Sequence, residues 1–248
     1  MYSGTVRAAA VRLRAEGKSW SEISRLLSVS RSALRAWLEC PEPRPRNSGC
    51  AICEDAPLGH YAYSALLGYY LGDGYISAAP RYFVLRVTCD LAYPEIIEDV
   101  SACVEVTRPR GNIYRVQAQG CLNVVSNWQH WPCLFPQHGP GRKHDRPIVL
   151  EDWQRRIVEA HPGAFLRGLF HSDGCRVMNW TRHPVAGEWK RYDYPRWQFT
   201  NLSADIRELC CWALDLVDIP WRQSNHKTIS VSTRAGVASL DELIGIKQ

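Results

Sequence analysis

The nine residues Leu66–Gly74 read LLGYYLGDG, and Leu166–Gly174 read LRGLFHSDG, the same phrase with the same ending 100 positions later. Each holds a glycine, a small residue four positions on, and then Asp-Gly. Gly68 and Gly72 in the first copy, and Gly168 and Ser172 in the second, fall on one helix face, because residues four apart lie above one another. Small residues on a shared face let two helix backbones approach far closer than Leu or Phe permits. The two helices are therefore expected to pack against each other, along an axis relating two similar halves.

The ending adds a second constraint. Glycine just past a helix is a common stop, since it accepts a left-handed conformation. Aspartate there meets the negative end of the macrodipole, which favours Lys or Arg. Side-by-side packing also brings Asp73 and Asp173 together, which raises at least one pKa unless a cation intervenes. A divalent metal resolves both conflicts, and oxygen-only ligands suit Mg²⁺. Two carboxylates around Mg²⁺ form a phosphoryl-transfer site. The plainer alternative is two unrelated buried helices with Asp-Gly turns, and the repetition weighs against it.

The surroundings of the two phrases also match. After the first come a strand-like RYFVLRVTC, a helical PEIIEDVSACVEV and a strand NIYRVQAQG. After the second come KRYDYPRWQFT, SADIRELCCWALDLV and TISVSTR in the same order, closed by ASLDELIG; DWQRRIVEAH bridges the halves. Lys190, Tyr192, Tyr194, Arg196 and Gln198 alternate onto one strand face, and Arg115, Gln117 and Gln119 do so in the first half. Arg and Gln read guanine and adenine edges and Tyr reaches phosphates, although solvated sheet faces use the same residue types.

The two phrases resemble the signature of the LAGLIDADG homing endonucleases, in the single-chain form with two motifs, over about Tyr61 to the C-terminus. The resemblance implies an α+β fold of two αββαββα halves, about 61–150 and 151–248, with a paired-helix interface and a saddle of strands on double-stranded DNA. It implies Asp73 and Asp173 as ligands of shared Mg²⁺ ions, cutting both strands across a narrowed minor groove. It also implies a basic residue near the metals, for which Lys227 in SNHKTISV is the candidate; the first-half region NVVSNWQHW offers Gln129 and no lysine. Two departures, Arg167 and the polar His171, predict a less well packed second helix. The fold also serves non-cleaving transcription regulators and RNA-binding splicing helpers, and these stand as alternatives.

Ahead of this body, residues 5–38 carry three helical patterns. Gly17 stops the first, Ser19 with Glu22 forms a capping box for the second, and Ser30 caps the third. Ile23, Leu27, Val29, Leu34 and Trp37 supply the apolar faces. The pattern over residues 1–39 resembles a helix-turn-helix whose recognition helix, Arg31–Leu38, points Arg31, Ser32 and Arg35 outward. A three-helix bundle that binds protein is the alternative. Residues 1–46 hold nine Lys+Arg against four Asp+Glu and so carry the whole net charge of +5, which favours DNA.

Residues 40–60 read as a linker rich in proline and glycine. Cys50 and Cys53 form a CxxC there, and with Cys40 and His60 they make a candidate structural Zn²⁺ set, reduced unligated thiols being the alternative. Cys133, His138 and His144 form a weaker second cluster in a loop. No apolar run approaches the ~20 residues of a membrane span, and no signal-peptide core opens the chain. The expectation is a cytoplasmic protein, on the nucleoid when bound to DNA. It acts as a monomer because one chain supplies both halves, with dimerisation through the N-terminal module left open.

Overall fold

The computed structural model describes residues 4–39, 49–185 and 187–245, and the chain divides into two units, Met1–Ser48 and Gly49–Gln248. The first unit holds helices α1 (Gly4–Ala15), α2 (Trp20–Leu27) and α3 (Arg31–Glu39). The capping box forms: Ser19 N–H donates to the Glu22 carboxylate at 2.8 Å, and Glu22 N–H donates to Ser19 Oγ at 3.3 Å. Ser28 turns the chain in the left-handed region at φ 53, and Ser30 Oγ caps α3 by accepting from Ala33 N–H. Ala10, Ile23, Val29 and Leu34 form the core of this unit.

The second unit begins with α4 (Ala51–Glu54), earlier than the linker reading places it, because Cys50, Ala51 and Leu58 already join its core. Its first half runs α5 (His60–Leu71), β1 (Gly74–Ala79), β2 (Tyr82–Asp90), α6 (Pro94–Thr107), β3 (Ile113–Ala118), β4 (Cys121–Trp128) and α7 (Trp131–Leu134). A 3₁₀ turn at Lys143–Asp145 and α8 (Asp152–Ala160) lead across to the second half. That half runs α9 (Pro162–Asp173), β5 (Gly174–Val185), β6 (Glu188–Thr200), α10 (Ala204–Asp215), β7 (Arg222–Asn225), β8 (Thr228–Val231) and α11 (Arg234–Ile244). The two sheets have the equivalent strand orders β1-β2-β4-β3 and β5-β6-β8-β7, all antiparallel. The fold is α+β, made of two αββαββα halves.

The halves meet along α5 and α9. A Cβ on Gly68 would lie 2.3 Å from Phe165 O, and one on Gly168 would lie 2.2 Å from Ala65 O, so the backbones touch where the sequence places small residues. Tyr63, Leu66, Leu67, Tyr70, Phe165, Leu169 and Phe170 continue this seam into one core shared by both halves. Arg167 and His171 do not loosen it. Arg167 pairs with Asp99 of α6 at 3.0 Å and lies over the Tyr61 ring, while Tyr69 Oη sits 2.7 Å from Asp99 and 3.3 Å from His171 Nδ1. The polar positions of α9 thus meet polar partners on the first half. Among the described residues no helix is long and apolar enough to cross a membrane.

Candidate functional site

The small-residue seam ends where the two acids stand. A Cβ on Gly72 would fall 2.3 Å from Ser172 Cβ and 3.4 Å from Asp173 Oδ2, so the carboxylate of the second helix lies against the residue preceding Asp73. The expectation that one packing event brings both helix ends together is met by this contact. Asp173 Oδ2 accepts from Asn201 Nδ2 at 2.6 Å. Asn201 is itself held, since its N–H donates to Lys227 O at 3.0 Å and its Oδ1 accepts from Ser203 N–H at 2.8 Å. Ser172 Oγ is buried at the junction with no hydrogen-bond partner among the described residues.

The cation at this junction is a residue that sequence reading missed. Lys143 Nζ donates to Tyr70 O and Gly72 O at 2.5 Å each and to Gly74 O at 2.9 Å. It thereby supplies the positive group that the C-terminal end of α5 calls for. Burial pushes its pKa down to about 8, while the Asp173 and Asp73 carboxylates pull it back up. Lys227 lies in the β7–β8 turn with an exposed side chain, and its backbone carbonyl accepts from Asn201, the residue that holds Asp173. Lys143 lies in the glycine- and proline-rich run before α8, where its one signal was a basic cluster, Arg142, Lys143, His144 and Arg146. All four line an open cleft of about 470 Å³ together with Gly72, Asp173 and Thr200.

The donor set suits a hard divalent cation. Asp173 lines the basic cleft while Asp73 lines an adjoining one with His171 and Ser172, both carboxylates acting on Lys143. Mg²⁺ needs only one or two carboxylates, its remaining positions being filled by water or substrate oxygens. The orphaned Ser172 hydroxyl adds an oxygen beside them. Three nearby carbonyls are occupied by Lys143, so the carboxylates are the donors that a metal would take.

Above the junction the two sheets present their uncovered faces differently from expectation. In the second half Lys190, Tyr192, Tyr194, Arg196 and Gln198 alternate with the buried Trp197 and Phe199 and so share the face away from the core. Tyr194 Oη accepts from Asn179 at 2.7 Å and from Arg196 at 3.2 Å, and Arg196 Nε is buried with no partner among the described residues. In the first half the parity is reversed. Arg115 lies opposite the core residue Val124 and donates to Glu98 of α6 at 2.7 and 2.6 Å, so Arg115 and Gln117 occupy the helix-covered face. Gln119 falls in the β3–β4 turn. The uncovered face carries Tyr75, Arg86, Thr88, Tyr114, Val116 and Asn123 instead.

In the first unit Arg31, Ser32 and Arg35 are exposed along α3 while Leu34 is buried. Of the candidate zinc ligands, Cys40 lies outside the described residues. Cys50 and Cys53 gather with His130 and Cys133 rather than with His60, which opens α5 and lines a separate cleft beside Trp153. His138 and His144 part from Cys133, His138 against the Phe83 ring and His144 beside Asp145.

Comparison with known proteins gives one family match: a model for a homeodomain-like domain matches residues 2–45. No curated protein matches the chain. Solved structures with a similar fold include the homing endonuclease I-DmoI in complex with DNA and Mn, at 12% identity and TM-score 0.49 over 75% of this chain and 97% of that one. The LAGLIDADG meganuclease I-AabMI bound to uncleaved DNA gives 12% identity and TM-score 0.46, over 73% and 82%. Full-length DUF199/WhiA from Thermatoga maritima gives 14% identity and TM-score 0.47, over 78% and 59%.

Proposed function

We propose that this protein binds double-stranded DNA at specific sites and that its second unit cleaves phosphodiester bonds with Mg²⁺ held by Asp73 and Asp173. The observation that carries the reading is the contact of Gly72 with Ser172 and Asp173, which joins two acid-bearing helix ends at a basic cleft. Bound there, Mg²⁺ supplies an activated water and a charge beside the leaving oxygen. The chain's own groups set the stage. Asn201 fixes the rotamer of Asp173. Lys143 gives its three protons to three carbonyls, so it acts as a fixed positive charge and not as a proton donor. Arg142 and Arg146 give the cleft a cationic wall for phosphate. The uncovered strand faces read base edges, and the homeodomain-like unit adds affinity through linkage. One chain supplies both halves, so it works as a monomer.

The test is incubation of the full chain with Mg²⁺ and a large duplex library, sequencing both bound and cut fragments. Recurrent double-strand ends within one bound motif, lost in Asp73→Asn and Asp173→Asn, support the endonuclease. A second reading, a regulator that binds without cutting, is favoured by Lys143: a resident cation already answers the α5 end. A selected motif whose DNA stays intact at every Mg²⁺ concentration would establish that reading instead.

A further inference from the structure

Cys50 and Cys53 are the N-cap and third residues of the single-turn helix α4; His130 and Cys133 hold the same two positions on α7. Two i, i+3 ligand pairs from two one-turn helices therefore face each other, although Cys53 and Cys133 are 80 residues apart in sequence. The four ligand atoms all lie within 4.8 Å of one another. Cys53 Sγ and Cys133 Sγ are 3.5 Å apart, and Cys133 Sγ is 3.7 Å from His130 Nδ1. In a tetrahedral zinc site with Zn–S near 2.3 Å, neighbouring sulfurs lie about 3.8 Å apart. The sulfur separation is far beyond the ~2.05 Å of a disulfide.

We propose that Cys50, Cys53, His130 and Cys133 bind a structural zinc ion that fastens the start of the second unit to the turn after β4. Four protein ligands close the coordination sphere, which marks the site as structural and not catalytic. Each thiol binds as its thiolate and releases its proton to solvent. The turn is prepared for this role: Trp131 Nε1 donates to Ser126 O at 2.9 Å, and the Trp128 ring packs edge-on against Trp131 at 5.3 Å. His130 Nε2 lies 2.9 Å from the Gln129 side-chain amide. With Nδ1 on the metal, Nε2 carries the proton, and the amide turned end for end accepts it, which fixes the tautomer. The site is independent of the chemistry proposed at Asp73 and Asp173.

The test is metal analysis of the full chain purified under reducing conditions without chelator. The expected content is about one zinc per chain, falling below about a tenth in Cys53→Ser and Cys133→Ser and unchanged in His60→Ala and Cys211→Ser. Cobalt(II) loaded into the chelator-stripped wild-type chain should show tetrahedral d–d bands with thiolate charge transfer. His130→Cys should keep the metal with bands shifted toward four-sulfur ligation, a result that loss of folding cannot produce. A folded wild-type chain with neither zinc nor cobalt bands overturns the proposal. So does a Cys53–Cys133 disulfide in the isolated protein, or zinc retained by both Cys53→Ser and Cys133→Ser.

Discussion

Gly68→Ala sets two effects of opposite sign against each other. In a helix interior alanine is favoured over glycine by about 1 kcal/mol, so propensity alone predicts stabilisation. The new Cβ, however, would stand 2.3 Å from Phe165 O and 2.9 Å from Leu169 N, both backbone atoms that no rotamer change can move. The helices must part by about 1 Å, a gap that forfeits up to half of each dispersion contact across it. With on the order of 40 atom pairs at about 0.15 kcal/mol each, the loss is about 3 kcal/mol. The net is a destabilisation of about 2 kcal/mol, or a fall in Tm of about 4–8 °C for a unit of this size. Near-UV circular dichroism melts of the full chain measure it. Gly163→Ala is the control, because the atoms nearest its Cβ, Cδ1 at 2.6 Å and Cγ at 2.9 Å, belong to the side chain of Leu243, which is 39% exposed and free to turn away, and not to backbone. That variant should stay within about 0.5 kcal/mol of wild type. Gly168→Ala should repeat the loss, and the double variant should cost less than the sum, since helices once parted accommodate the second methyl. A Gly68→Ala protein melting at or above wild type would refute the backbone contact of α5 with α9.

Three further outcomes follow from named contacts. Asn201→Ala frees the Asp173 carboxylate while leaving the fold in place, and should lower Mg²⁺-dependent cleavage by about 10–100-fold in single-turnover assays. Arg196→Ala, on the uncovered face of β6, should weaken specific DNA binding by about 1–3 kcal/mol in titrations, whereas Arg115→Ala, engaged with Glu98, should leave affinity unchanged. Burial raises the Asp241 pKa, but the Arg176 and Trp197 hydrogen bonds and the Arg176 charge outweigh it and hold it below the ordinary carboxylate range. The folded carboxyl then holds its proton less firmly than the unfolded one, so its stabilisation is present above the unfolded pKa and is lost as pH falls through the folded value. The gap in urea midpoint between wild type and Asp241→Asn should therefore narrow from about pH 6.5 to about pH 3.

The features legible in the sequence were those in which one residue type has few uses. Glycines four apart ending in Asp-Gly, written twice, specify a helix pair, and Ser19 with Glu22 specifies a helix start. Strand parity was less legible. Arg115 and Gln117 look like an exposed row, but Arg115 gains the helix-covered face through its ion pair with Glu98, so polarity pointed the wrong way. The long hairpin of β5 and β6 runs past the last core residue, Trp197, and both its faces meet solvent, so no apolar alternation marked β5. Lys143 has no periodic context. The sulfur cluster is half visible: the CxxC stands out in the sequence, while Cys133 groups there with His138 and His144 and nothing marks His130, because only the fold brings α4 to α7.

The charges at the helix junction bear on whether the acids still serve a metal. Asp73 and Asp173 carry two negative charges, and each helix C-terminus adds about half of one, for a total near −3. Lys143, anchored on the carbonyls at the end of α5, answers one of these, the guanidinium groups of Arg142 and Arg146 line the same cleft, and Asn201, which holds Asp173, is neutral. The two carboxylates still stand at helix ends that disfavour negative charge. Without Mg²⁺ the wild-type chain therefore bears a repulsion that Asp73→Asn relieves, and the variant should be the more stable by on the order of 0.5–1 kcal/mol, Asp73 being exposed. With Mg²⁺ at ten times its dissociation constant, wild type alone gains about 1.4 kcal/mol and the order reverses. Melts of the two proteins in chelator and in Mg²⁺ measure the crossing directly. Curves that keep the same order in both buffers would mean that no divalent ion answers these charges.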